Sequence, residues 1–190
     1  MISFGGTTNV TMLHQLFNTP SLTDQFISDA LVYAKKYNIT GYNWDLEPTS
    51  PSNEWMEEAQ GFLAQFTAEM NGAGFTNSWD SNGYEGVTYD VDTWVDMSTY
   101  YGGERWKLAL ARGIYGVSSE RFGLGYCPTC QVDTETEVLE HFTFLKQMPG
   151  RSVNSIWLWS FYGTGSQPPI VGGVDVWSMY WPGLEAWLKN

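Results

Sequence analysis

The sequence predicts an α/β fold built on parallel strands. Two observations point there: six short apolar segments of strand character, and amphipathic segments of helix length lying between them. Crossovers of that length join parallel strands, whereas tight two-residue turns join antiparallel ones. A third observation bounds the answer, because 190 residues without an internal repeat or linker suit one domain, 1–190. A closed eight-stranded α/β barrel takes about 250 residues. Six strands are therefore either an open sheet or a barrel short of its first quarter.

Taken in order, residues 2–4 form a short apolar strand ending in Gly5 and Gly6. Helical periodicity runs from Ser21 to Tyr37, with Phe26, Ile27, Ala30, Leu31 and Ala34 on one face. The stretch "ITGYNWDLE" at 39–47 is the next strand, and Pro48 ends it. Pro51 is placed at the first position of a helix running to Met70. Its stripe is Trp55, Ala59, Phe62, Leu63, Phe66 and Met70, with Gly72 and Gly74 as terminators. Strands at 75–79 and 94–100 follow, then a helix over 104–114 and a strand at 121–126. Thr134 and Glu137 form a capping box for a helix reaching Met148. A strand at 155–161 and a helix from Pro182 end the chain.

A net charge of -12 repels both a nucleic-acid backbone and an anionic membrane surface, so neither is an expected partner. No run is apolar enough for a transmembrane helix. Cys127 and Cys130 are the two cysteines, in "CPTC", and His14 and His141 lie far from them in sequence. A structural zinc takes about four such ligands, so the pair reads as a loop pair or a short disulfide. No metal and no cofactor is expected. Ten Trp and eleven Tyr serve mostly as core. The remainder suit a cleft whose flat apolar faces accept sugar rings.

The chemistry concentrates in the strand at 39–47. Side chains alternate along a strand, so Asn43, Asp45 and Glu47 share one face while Tyr42, Trp44 and Leu46 share the other. Two acids two positions apart repel when both are ionised, which raises the pKa of one. A carboxyl that keeps its proton near neutral pH is a general acid for a leaving oxygen. Glu47 comes last, at the strand's C-terminal end, where α/β barrels place their active sites. An ordinary solvated strand end is the competing reading, and the apolar alternation counts against it.

A two-carboxylate retaining glycosidase needs a second acid about 5–5.5 Å across the scissile bond. "GLGYCPTC" offers none, and Asp45 projects from the same strand as Glu47. Substrate-assisted hydrolysis removes that need, because the substrate's own acetamido oxygen attacks the anomeric carbon. The protein then supplies an acid and an anionic partner for the acetamido N–H. Glu47 and Asp45 fit those two roles.

These residues carry a specific resemblance. "TGYNWDLE" at 40–47 resembles DGxDxDxE, the fourth-strand signature of the family 18 glycoside hydrolases, and "SFGG" at 3–6 matches their third-strand SxGG. "MSTYYG" at 97–102, "FGLGY" at 122–126 and "WLWSF" at 157–161 resemble the sixth, seventh and eighth strands in order. The resemblance implies a (β/α)8 TIM-barrel fold that starts at strand three and is therefore incomplete, with a segment before Met1 expected to supply the first two strands. It implies cleavage of β-linked N-acetylglucosamine oligo- or polysaccharides, with retention and Glu47 as acid and later base. Asp45 would orient the acetamido group, Asn43 would back Asp45, Tyr100 would hydrogen-bond the acetamido oxygen and Trp159 would stack beneath the sugar. Trp79 and Asp80, just after the fifth strand, and Tyr101 are further substrate-binding candidates. An extracellular or lysosome-like location goes with the resemblance.

Departures from the pattern are also legible. Thr40 and Asn43 stand where the family has Asp, so a proton cannot be shared between residues 43 and 45, and Asn43 can instead donate to Asp45. Thr7 replaces an aromatic residue, Tyr101 replaces an Asp, and Met97 is displaced by one. A sugar-binding lectin without turnover, or an inactive partial barrel, are the alternatives. The presence of Glu47 favours the hydrolase.

Overall fold

The computed structural model describes residues 1–6, 10–47, 52–81, 90–97, 120–126, 140, 143, 154–158, 170–171, 174–175, 181–185 and 188–189. The chain forms two compact units, Met1–Val95 and Asp96–Asn190. The predicted helix over 104–114, all of that over 134–148 except the helical residues 140 and 143, Tyr100, Tyr101, Trp159 and both cysteines lie outside the described residues.

The first unit contains β1 (Ile2–Gly6), α1 (Val10–Asn18), α2 (Pro20–Tyr37), β2 (Gly41–Leu46), α3 (Asn53–Gly72) and β3 (Thr76–Ser81), and closes in β4 (Thr93–Asp96). Its strands lie in the order β1-β2-β3-β4. The β1–β2 and β2–β3 pairs are parallel, as crossovers of helix length require. Their register sets Ser3 beside Asn43, Gly5 beside Asp45, Asn43 beside Ser78 and Trp44 beside Trp79. In the second unit β5 (Phe122–Tyr126) and β6 (Ser155–Leu158) pair in parallel. A two-residue hairpin, β7 (Ile170–Val171) with β8 (Val174–Asp175), is antiparallel, and residues 181–185 are helical.

Local chemistry explains the helix ends. Pro20 sits in the first turn of α2, behind an extended Thr19, where its missing N–H costs nothing. Asn38 closes α2 in the left-handed region, φ 52°, and its N–H bonds the Ala34 carbonyl. In α3 the Ser52 hydroxyl caps the helix by accepting from the Trp55 N–H at 3.1 Å. Ser52 is thus the N-cap and Asn53 opens the helix, while Pro51, the predicted opener, lies outside the described residues. The predicted strand at 75–79 extends to Ser81, which takes Asp80 into the strand.

Helix α1 has no counterpart among the predicted elements. It is nine residues long with no acid in its first turn, and helices that short are marginal on their own. Tertiary contacts hold it. The Phe17 ring packs on Phe62 and Trp55 with centroids 4.9 and 5.8 Å away, and His14 meets Glu58 at 2.6 Å.

Strand β2 is buried on both faces, and on one of them it anchors the core. The Tyr42 hydroxyl donates to the Ala30 carbonyl of α2 at 2.7 Å. Trp44 meets Phe62 and Phe66 of α3 edge-on, with centroids 5.3 and 5.1 Å apart. Leu46 is buried on the same side. The predicted helix-facing row is therefore as read, and the acid row points the other way.

Candidate active site

Three strands build the site from one face. On β2, Asn43 and Asp45 point away from the helices and are buried, and Glu47, half-buried, follows the strand's last residue. On β1, Ser3 lies beside Asn43; on β3, Ser78 and Asp80 follow the same alternation.

The Asn43 side chain is the hub. Its Nδ2 donates to Ser78 Oγ and to Asp80 Oδ1, each at 2.9 Å, and its Oδ1 accepts from Ser3 Oγ at 2.8 Å. Both amide hydrogens are thus spent on β3. The expected donation from Asn43 to Asp45 is accordingly absent, because register brings Ser78 and Asp80 within reach first. Asp45 Oδ1 is buried and meets no hydrogen-bond partner among the described residues.

Close backbone approach frames Asp45 from the other side. A Cβ on Gly5 would lie 1.7 Å from the Asp45 carbonyl oxygen, so the first glycine of "SFGG" is a steric requirement.

Charge and burial act together here. Asp45 is pushed up to about 6, first by burial, then by the Glu47 charge and by a side-chain hydrogen bond with Glu47. Asp80 is pushed up to about 7, again by burial first, with the Asn43 hydrogen bond opposing and the Asp45 and Glu47 charges reinforcing. A hydrogen bond between two carboxyls requires a proton on one of them. The environment thus favours the protonated form of Asp45 and Asp80, whereas the sequence predicts the retained proton on Glu47 beside an ionised Asp45.

Asn43, Asp45, Glu47 and Asp80 are brought together. Trp79 is not: it is 0% exposed, in register with Trp44, and faces the helices. Its expected place in a sugar cleft gives way to a place in the core, because the strand continues through it and period two turns it inward. Ser3 and Ser78 were not among the candidate residues. Ser3 had a signal, since it falls on the same alternation as Gly5 in "SFGG"; Ser78 had none before the register was known.

No family model and no curated protein matches the sequence. Solved structures do resemble the chain. A chitinase from Chromobacterium violaceum superimposes with a TM-score of 0.70 at 11% identity, over 99% of this chain and 79% of that one. The spore cortex-lytic enzyme SleL of Bacillus megaterium gives 0.69 at 12% identity, over 97% and 58%. Catalytic domain 2 of the Ostrinia furnacalis group II chitinase, solved with (NAG)5, gives 0.67 at 10% identity, over 84% and 70%. The chain spans from 50% to 80% of the length of such neighbours. At this identity the likeness speaks to architecture: the chain has the α/β-barrel fold of the GH18 chitinases and chitinase-like cortex-lytic enzymes, and carries six of its parallel strands.

Proposed function

We propose that this chain is a glycoside hydrolase acting on β-linked N-acetylglucosamine oligo- or polysaccharides, with retention and with the substrate's acetamido group as nucleophile. The observation that carries this reading is the hydrogen-bonded carboxyl pair, Asp45 and Glu47, at the C-terminal end of a strand in a chitinase-type fold.

In this reading the pair shares one proton across its hydrogen bond. Glu47, half-buried beyond the end of β2, delivers it to the leaving glycosidic oxygen. Asp45, buried at the strand end, is left as the anion that receives the acetamido N–H while the acetamido oxygen closes on the anomeric carbon. Its Oδ1, without a hydrogen-bond partner among the described residues, is an acceptor for that N–H. Glu47, now a carboxylate, takes a proton from the water that opens the oxazolinium ion, which restores the starting state. By the resemblance, Tyr100 and Tyr101 attend the acetamido group and Trp159 forms the floor under the sugar.

Hydrolysis of a fluorogenic chitobioside by the wild-type chain and by Glu47→Gln tests this. The expected result is turnover in the wild type and a loss of about 100-fold or more in the variant, with circular dichroism unchanged. A folded wild type without turnover overturns the hydrolase reading; equal rates overturn the role of Glu47.

A further inference from the structure

Residue 43 is Asn where the resembling family has Asp, so β2 carries one carboxylate fewer behind Asp45. The amide is nevertheless fully engaged. It is held by Ser3 of β1 at 2.8 Å and gives its two N–H groups to Ser78 and Asp80 of β3 at 2.9 Å. A carboxylate at 43 has no N–H to offer Asp80, and two adjacent buried anions would repel. Asn43 and Asp80 are therefore a matched pair: the neutral amide on one strand accommodates the acid on the next.

We propose that Asp80 supplies from β3 the carboxylate that β2 lacks at position 43, and acts as a positioning residue for the Asp45–Glu47 pair. Its catalytic consequence rests on the hydrolase reading, while its electrostatic content does not. Among the described residues, the ionisable groups acting on Asp80 are Asp45 of β2 and Glu47 just after it. The described polar groups beside Asp80 on this face, Asn43 and Ser78, are uncharged, and β4, the next strand, ends in Asp96. Burial and the neighbouring charges hold both Asp45 and Asp80 above the usual carboxylate range, and a charge on Asp45 opposes ionisation of Asp80. Three carboxyls thus give up their last proton later than two would. The effect is to keep an acid available on the alkaline side of neutrality.

Asp80→Asn isolates this role, because its amide oxygen still accepts from Asn43 while the charge is gone. Two readouts are needed. In a carboxyl-carbon NMR titration, the wild-type Asp45 resonance is expected to show a second step near pH 7. Asp80→Asn is expected to abolish that step, and the double variant Asn43→Asp/Asp80→Asn to return one. In the chitobioside assay, the alkaline limb of kcat/KM is expected to fall by roughly half to one pH unit in Asp80→Asn and to recover in the double variant. An Asp45 titration identical in wild type and Asp80→Asn overturns the proposal. So does a double variant whose alkaline limb stays where Asp80→Asn put it. A wild type that does not hydrolyse chitobioside overturns the hydrolase reading alone, and the NMR titration then still decides the place of Asp80.

Discussion

Asn43 and Asp80 face each other across the β2–β3 pair, the amide nitrogen 2.9 Å from the carboxylate oxygen. The same amide is anchored on β1 by Ser3, so one neutral side chain ties three strands at the floor of the candidate site.

Removing that tie should be costly. Asn43→Ala leaves Ser78 Oγ and Asp80 Oδ1 without that partner in a buried setting, and Ser3 Oγ, on an exposed residue, without its acceptor. Each stranded group costs about 1–3 kcal/mol unless water replaces the bond. A loss of roughly 2–4 kcal/mol in urea unfolding is expected. An unchanged midpoint would show that the network contributes nothing.

Gly5→Ala should disturb both stability and turnover. Its new methyl would meet the Asp45 backbone at 1.7 Å, which forces β1 and β2 apart beside the acid row. A loss of about 2 kcal/mol or more is expected. Gly61→Ala in α3 is the control, since a Cβ there meets nothing within 4 Å. It should be neutral or stabilising by up to about 1 kcal/mol. Thermal melts of the two variants check the contrast, and similar melting temperatures would refute it.

Stability should fall as pH rises from about 4 to about 7. Asp45 and Asp80 have raised carboxyl pKa values, about 6 and about 7 against 3.8 for an unperturbed aspartate. Between those values the folded state binds more protons than the unfolded one, so each added pH unit favours unfolding. The stabilising effect of the protons is complete below about pH 4 and gone above about pH 7. Asp80→Asn should flatten the upper part of this slope. Chemical denaturation at pH 5 and pH 8 measures it; a wild type more stable at pH 8 by these groups would contradict the assignment.

Trp44→Ala should be among the most damaging core changes. Trp44 is 1% exposed and wedged between Phe62 and Phe66 of α3 and Phe26 of α2. Emptying such a site costs about 3–5 kcal/mol. Differential scanning calorimetry should show a clear drop in Tm, and a shift under a degree would mean that the helices collapse into the gap.

Much of this arrangement was legible in residues close together in the chain. The alternation of Tyr42, Trp44 and Leu46 with Asn43, Asp45 and Glu47 gave the two faces of β2, because a strand has period two. The α2 and α3 stripes followed from period 3.6 in the same way. Helix α1 was not legible, because its support comes from α3, with Glu58 lying 44 positions beyond His14. Trp79 and Asp80 were read as a pair just past a strand, when they are successive residues within it and face opposite ways.

By itself the sequence determined the α/β alternation and the acid row and its face. These depend on backbone periodicity and on side-chain type, which are local properties. The tertiary structure alone decided that Asn43 gives its N–H groups to Ser78 and Asp80 and not to Asp45. A hydrogen bond forms with whichever acceptor lies within about 3 Å, and between strands that distance is set by register, which no single strand contains.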